Sequence, residues 1–481
     1  MPLPGPSPAS SSGSRAPEPL PRGSGRWWWA GVGLLLLAGL AVRIALMPVE
    51  AFVYDRRAFT EWMIALQRHP LASFYDLPLH IPADHLPGTL WLLTGLGTLI
   101  SWLGVGGERG IAGLTPQEAQ PFLKALPILA DLIGGVLIAG IVRRVAPERL
   151  RTRAALLAAA GWVLAPGAIF ISAVWGQWDA ISLVFMLGAL WCALHGRRYA
   201  VAVPPLIALA MLMKPQFAIL APLLGLFVLI DAGVPAARRL AVGGVLAAGI
   251  VTLAGWPFHV ALLPVEGWAT YAERASFAAN RFHGTTYGAV SLWLIPLGIH
   301  HPPNDSEAIL GPLTAARIGW GLVAASALAG LAVAHRHRWS AGGLIAGCAV
   351  TYLGFVLFAT RMHERYLLPA LALTLLLAAV RPALGTILPA AALSLAFFAS
   401  VYLSYTSFAM DAALPLGRLR TGPVLSALGI AGVASFAVLL VSVWSPPAVV
   451  AVASRRSREH HAASSATGEA MAGGQPINAG D

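Results

Sequence analysis

WWWAGVGLLLLAGLAVRIALM, residues 27–47, is the stretch whose reading decides the fold. At 1.5 Å per residue an apolar run of this length crosses a hydrocarbon core about 30 Å thick. No small-residue cleavage site follows a short apolar core, so the run reads as an uncleaved anchor and not as a removed signal peptide. Trp27, Trp28 and Trp29 suit a membrane interface. Before them, residues 1–25 are rich in Pro, Ser and Gly and show no periodicity, so a disordered tail is expected. Arg15, Arg22 and Arg26 place that tail in the cytoplasm.

Composition extends the reading to the whole chain. Of 481 residues, 57% are hydrophobic and 11% charged, and the mean hydropathy is +0.71. Soluble domains carry about 25% charged residues, so a polytopic helical membrane protein is expected. Alternating apolar and polar strands are absent, which argues against a β-barrel. Cys192 and Cys348 both sit inside apolar runs and suggest neither a disulfide framework nor a metal site. The net charge of +11 is spread over short loops and tails, a pattern that fits anionic lipid and not nucleic acid. The abundance of Ala, Gly, Pro and Arg suggests a bacterial chain of high-GC origin.

Further apolar runs lie near 87–104, 122–142, 155–172, 179–195, 200–213, 215–230, 240–256, 315–334, 341–359, 366–380, 383–403 and 424–444. Together they predict an all-α domain over 26–445 with about 11–13 transmembrane helices, followed by a disordered cytoplasmic tail, 446–481. The stretch 288–299 is too short to cross and reads as part of a loop. Loop charge sets the orientation. Arg143-Arg144 through Arg153, Arg197-Arg198, Arg238-Arg239, His335 to Arg338, Arg381 and Arg455-Arg456 belong in the cytoplasm. That leaves the loops 48–86, 257–314 and 404–422, with Lys214, on the outer face. One conflict remains: if 87–104 crosses fully, parity breaks before Arg143, so that segment is either partial or an exception.

The outer face then gathers the chain's unusual polar clusters. Val53-Tyr54-Asp55-Arg56-Arg57-Ala58-Phe59-Thr60-Glu61-Trp62 opens the first outer loop, and Asp84-His85-Leu86-Pro87-Gly88-Thr89 ends it. Trp175-Gly176-Gln177-Trp178-Asp179 and Lys214-Pro215-Gln216 lie at span junctions, and Arg361-Met362-His363-Glu364-Arg365-Tyr366 lies at a later lip. The long loop adds Arg274, Asn280, Arg281 and His283. Ionisable groups at membrane depth are costly, so each is a site candidate. Each also has a plainer reading: Lys214 and Gln216 as snorkelling side chains, Asp179 as a helix cap, Trp175 and Trp178 as belt residues, and His363 with Glu364 as a structural pair. Lys214, Arg281, Arg361 and Arg365 suit an anionic phosphate. Asp55 or Asp84 could take a hydroxyl proton, and His363 could bond a phosphate or an acceptor.

In this order, from about residue 50 to 370, the motifs resemble the GT-C superfamily of membrane glycosyltransferases, which use polyprenyl-phosphate sugars. Within it they look most like the dolichyl-phosphate-glucose-dependent glucosyltransferases of N-glycosylation and bacterial proteins related to the GPI mannosyltransferases. Asp55 with Trp62 matches the first-loop motif holding the family's catalytic Asp. Asp84 to Thr89 matches the end of that loop, with Leu86 where the family has a first proline, and Asp179 replaces an Asn after Gln177 and Trp178. Lys214 and Gln216 match a helix junction, and His363, Glu364 and Arg365 match a His-Glu-basic motif. The resemblance implies inverting transfer of a hexose, mannose or glucose, onto a lipid-linked or envelope glycan outside the plasma membrane. Asp55 would be the general base. Asp84, Trp62, Gln177, Asp179, Lys214, Gln216, Arg281, Arg361, His363, Glu364 and Arg365 would bind substrate.

The donor acts as a co-substrate. No resident cofactor is expected, no His, Asp or Glu spacing calls for a metal, and a divalent ion is left open. Membrane lipids are the surrounding partners, nucleic acid is not, and a monomer is expected. The competing class is a transporter or flippase of a lipid or small solute. It should show repeated halves and polar groups at mid-bilayer, and neither stands out in the sequence. A non-catalytic relative is the third reading, kept open by Leu86 and Asp179.

Overall fold

The computed structural model describes residues 24–260, 266–297, 304–408 and 421–445. Residues 1–23 of the first tail, all of the tail 446–481 and residues 409–420 of the third outer loop lie outside this set.

The chain is an all-α polytopic membrane protein. In order come α1 (Ser24–Leu46), α2 (Val53–Arg68), α3 (Pro87–Trp102), α4 (Pro116–Val145), α5 (Arg151–Val163) and α6 (Pro166–Ile169). There follow α7 (Asp179–Leu194), α8 (Val203–Met213), α9 (Ala221–Gly255), α10 (Glu266–Asn280) and α11 (Leu294–Leu297). The last are α12 (Ala315–Arg336), α13 (Ala341–Phe358), α14 (Leu368–Val380), α15 (Leu384–Phe408) and α16 (Gly422–Trp444). Among the described residues four short strands lie between helices. β1 (Thr286–Tyr287) runs parallel to β4 (Met362–His363), and β2 (Ala308–Leu310) pairs antiparallel with β3 (Leu313–Thr314).

The number of spans departs from the 11–13 expected. Among the described residues seven helices are long and apolar enough to cross, or eight if the pair Arg151–Val163 and Pro166–Trp175, bent by 44°, is one broken span. Hydropathy marks apolar runs but not where a helix stops. α3 has 16 residues, or about 24 Å, short of a hydrocarbon core of about 30 Å. That matches the partial-helix alternative left open by loop charge. α7, α8 and α14 have 16, 11 and 13 residues and are too short for the same reason. The segments expected at 215–230 and 240–256 appear as two helical pieces, Pro215–Ile230 and Gly233–Phe258, which α9 joins across a break where Gly233 takes φ 62; the first is too short to cross by the same measure. Residues 288–297 form a bend and the four-residue α11, as expected of a stretch that does not cross.

Two apolar cores hold these elements. The larger runs through the bundle, with α13 almost wholly inside it. There α12 lies so close to α13 that a Cβ on Gly330 would stand 2.6 Å from the Gly347 carbonyl oxygen. Such contact replaces the hydrophobic drive that lipid removes. The smaller core joins α2, α3 and the start of α4 with Trp178, Met213 and Phe258. It forms the base under the first outer loop, and the site is built against it.

Candidate active site

The path from α1 into α2 is tied down by α4. Thr115 opens α4 with a reciprocal capping box to Glu118, and the next turns aim Gln120 and Lys124 at the crossing. Lys124 Nζ donates to the carbonyls of Met47 and Val49, at 3.0 and 2.5 Å. Gln120 Oε1 accepts from the Ala51 N–H and from Arg56 Nη1, both at 2.9 Å. Arg56 also pairs with Glu50 at 2.7 Å. It is therefore part of the scaffold that fixes the first turn of α2, where Asp55 stands.

Asp55 is gripped from a second direction. After α6 the chain makes a π-turn, Phe170–Trp175, and then reverses at Gly176, whose φ of 86 suits glycine. The reversal aims two donors at one carboxylate oxygen. Trp175 Nε1 and Gln177 Nε2 both donate to Asp55 Oδ2, at 2.7 and 2.6 Å. Oδ1 is left for another partner. Trp175 and Trp178 are each 2% exposed, and Trp178 donates to the Leu123 carbonyl at 2.9 Å, so neither is a belt residue. Asp179 does not cap α7; its carboxylate receives Lys214 Nζ at 2.5 Å.

That contact begins a buried ladder of charge. Asp179 lies 3.7 Å from Arg365 Nε, and Arg365 Nη1 donates to Glu364 at 2.9 Å. Lys214, Asp179 and Glu364 are buried, so Lys214 is not a snorkelling chain. Burial pulls the Lys214 ammonium below its ordinary range, and Asp179 pulls it back. Burial pushes the Glu364 carboxyl up, against the Arg365 charge. Burial, with the charges of Arg365 and Lys214, holds His363 well below the ordinary imidazole range. The nearest contact of His363 with Glu364 is 4.0 Å, while its ring stacks on Tyr287 at 5.1 Å, set there by the β1–β4 pairing.

The far side is made by the end of the first loop. Asp84 accepts from Arg281 at 2.9 Å and contacts His85 Nδ1 at 2.8 Å, and Arg281 also bonds the Tyr54 hydroxyl. Burial raises the Asp84 pKa, but His85 and Arg281 outweigh it and bring the carboxyl down to about 2. Trp62 is 1% exposed and donates to the Ile81 carbonyl at 2.7 Å, so it ties the loop to the base. Arg361 makes a two-pronged pair with Asp305, at 2.8 and 3.1 Å, and Thr360 donates to the same carboxylate at 2.7 Å.

The ladder, the end of the first loop and Arg361 border a cavity of about 810 Å³; Asp55 is not among the residues that line it. Of the residues expected to bind substrate, Asp84, Lys214, Gln216, Arg361, His363 and Arg365 line it. Asp179 and Glu364 are the buried acids of the ladder, behind Lys214 and Arg365; Arg281 bonds Asp84, and Gln177 bonds Asp55. Trp62 belongs to the packed base. Phe282, Trp320 and Phe355 give one wall an apolar surface. Among the described residues no group of three or more His, Cys, Asp or Glu is arranged to hold a metal ion.

Sequence reasoning did not single out Asp305 or Tyr54, and no spacing signal marks them. It also passed over Arg43 and Asp131, for which a signal existed. They are 0% and 1% exposed within α1 and α4 and pair at 3.0 Å. Arg43 further donates to the Val163 carbonyl at 2.7 Å and reaches Ser172 Oγ at 3.4 Å. Two charges inside apolar helices are themselves the anomaly. Arg43 stands in the last turn of α1, but Asp131 lies in the middle of α4 and departs from the expectation that polar groups sit at span ends.

No protein-family model and no curated protein matches the chain. Among solved structures, the chain is similar to ArnT from Cupriavidus metallidurans bound to undecaprenyl phosphate, with 16% identity, TM-score 0.46, and coverage of 85% of this chain and 76% of that one. ArnT from the same organism in the apo state gives 16%, 0.44, 86% and 76%. The oligosaccharyltransferase of Archaeoglobus fulgidus in the apo form gives 14%, 0.40, 87% and 56%, so this chain spans about half of that protein.

Proposed function

We propose that the chain is a GT-C-type membrane glycosyltransferase. It moves a hexose, mannose or glucose, from a polyprenyl-phosphate donor to a lipid-linked or envelope glycan at the outer face of a bacterial plasma membrane. The observation that carries this reading is the setting of Asp55. Trp175 and Gln177 clamp one carboxylate oxygen and leave the other open, while the cationic ladder of Lys214 and Arg365 lines the neighbouring cavity. A base needs a fixed carboxylate with a free oxygen, and an anionic leaving group needs nearby cations.

In the reaction, Oδ1 of Asp55 takes the proton of the acceptor hydroxyl. The hydroxyl oxygen bonds to the anomeric carbon from the side opposite the phosphate. The bond from that carbon to the phosphate oxygen breaks, and its electron pair leaves with polyprenyl phosphate, so the anomeric configuration inverts. Lys214 and Arg365 offset the charge that gathers on the phosphate. His363, held neutral by burial and neighbouring cations, can bond a phosphate oxygen or a sugar hydroxyl without adding charge. Asp84, kept ionised by His85 and Arg281, accepts hydrogen bonds from sugar hydroxyls. Transport would need an open mid-bilayer polar path; the Arg43–Asp131 pair is instead enclosed.

The test is to offer the purified chain polyprenyl-phosphate-mannose or polyprenyl-phosphate-glucose with extracted envelope lipids. Transfer with inverted anomeric configuration supports the reading. Neither transfer nor donor hydrolysis from any pool would overturn it and turn attention to lipid or solute flux.

A further inference from the structure

The helices that wall the cavity carry a basic hollow at their other ends. Ala316 and Trp320 at the start of α12, and Phe355 near the end of α13, line the cavity. At the opposite ends, with the last turn of α16, lies a hollow of about 670 Å³ lined by Ala332, His335, Arg336, Arg338, Trp339 and Trp444. Along α12 the residues lining the two, Ala316 and Trp320 against Ala332 to Arg336, lie about 18–30 Å apart, toward opposite ends of a span about 33 Å long. The hollow therefore opens at the other membrane interface, which loop charge assigns to the cytoplasm.

We propose that this hollow binds the phosphate headgroup of an anionic phospholipid from that leaflet. Arg336 and Arg338 line the hollow, Arg381 reaches the end of α16 behind it, and among the described residues none of the three makes an ion pair. Arg336 and Arg381 bond backbone carbonyls, and Arg381 Nη1 also lies 3.0 Å from His337 Nε2. Arg336 Nε donates to the Trp444 carbonyl at 2.8 Å and its guanidinium lies 5.2 Å from the Trp444 ring. Arg381 Nη2 donates to the Ser445 carbonyl at 3.3 Å. These contacts close the end of α16 but carry no net negative charge, so the cationic excess stands. Arg338 is exposed, and its side chain has no hydrogen-bond partner among the described residues. Arg338 and Trp339 both take left-handed backbone angles, φ 51 and 52, although neither is glycine. That unfavourable pair places a free guanidinium beside an indole at the mouth of the hollow.

The surroundings select a lipid over a soluble anion. Leu328 on α12, and Val438 and Val441 on α16, are 66%, 46% and 68% exposed and present an apolar surface next to the hollow for acyl chains. Trp339 and Trp444 stand where indoles meet the headgroup layer. A phosphodiester supplies the acceptor oxygens that guanidinium geometry favours.

The experiment is native mass spectrometry of the full chain in detergent, titrated with phosphatidylglycerol, phosphatidylcholine or soluble glycerol 3-phosphate, for wild type, R336A/R338A and R338K. Wild type should bind one phosphatidylglycerol in preference to phosphatidylcholine. R336A/R338A should bind it about 30-fold more weakly, from roughly 1 kcal/mol per basic residue near a membrane surface. R338K should stay close to wild type, which separates charge from folding. Equal binding of both lipids, an unchanged double variant, or glycerol 3-phosphate bound as tightly as the lipid would each overturn the proposal. The measurement uses no glycosyl substrate, so it stands whatever the activity at the other face.

Discussion

Replacing Lys214 by Met isolates the charge ladder, and its consequence follows from the geometry. Lys214 Nζ lies 2.5 Å from Asp179 Oδ1, and the two side chains are 11% and 3% exposed. Removing one partner of a buried pair costs about 3–5 kcal/mol, because the other charge is left without compensation. Here Arg365 Nε stands 3.7 Å from the second Asp179 oxygen and carries part of that load. The expected loss is therefore at the low end, about 3 kcal/mol, or about 150-fold in the folding equilibrium. The double variant K214M/D179N removes both charges and should return to within about 1 kcal/mol of wild type. Denaturant unfolding in detergent, read by tryptophan fluorescence across the four members of the cycle, gives the coupling. Transfer kinetics on the same proteins add a second reading. The double variant should fold yet show a donor KM raised about 10-fold, because the cation facing the phosphate is gone. A double variant as unstable as K214M would refute the ion-pair reasoning, and a normal donor KM in it would leave Lys214 a purely structural residue.

Other consequences are equally direct. His363 has its pKa pulled well below the ordinary value, so between that lowered value and about 6.5 the unfolded chain binds a proton that the folded chain does not. Stability should thus fall as pH is lowered through 6.5, and His363→Phe should flatten the Tm-against-pH curve over pH 7.5 to 5.5; an unchanged slope counts against it. Asp131→Asn leaves the enclosed Arg43 without its counter-charge and should cost about 3 kcal/mol in the same unfolding assay; an unaltered midpoint would show the pair is dispensable. Gly176→Ala keeps ordinary contacts, the nearest at 3.4 Å, so its cost comes from the left-handed backbone, about 1 kcal/mol. Because the same turn delivers Gln177 to Asp55, transfer should slow about 10-fold, and a kcat equal to wild type would sever that link.

Composition made the all-α membrane fold legible, and the sequence also marked candidate residues for the site. Asp55, Gln177, Asp179, Lys214 and the His363–Arg365 run stood out because each interrupts apolar sequence; the structure sets Lys214, His363 and Arg365 on one cavity with Asp179 paired behind them, and bonds Gln177 to Asp55 off its lining. Their partners were harder to read. A cap and an ion pair place the same Asp179 in the same sequence position, and only the fold shows Lys214 within reach. Asp305 comes from a polar loop where an acid is ordinary, so its grip on Arg361 left no trace in the pattern. The span count differs because composition does not record where a helix begins: the run 200–213 ends at Met213 as expected, but residues 197–202 form a 3-10 turn and α8 starts only at Val203. Arg43 and Asp131 were visible as charges in apolar runs, but their pairing spans 88 residues and needed the packing of α1 on α4.

The central claim is that Asp55 takes the acceptor's proton, and Asp55→Asn tests it most directly. Asn keeps an oxygen to accept from Trp175 and Gln177, so fold and donor binding should hold, but the side chain no longer accepts a proton. Single-turnover transfer from polyprenyl-phosphate-mannose or polyprenyl-phosphate-glucose should drop about 10³-fold, within the range general bases supply, while donor affinity stays at the wild-type value. Transfer retained within about 10-fold of wild type would contradict the account and remove Asp55 as the base.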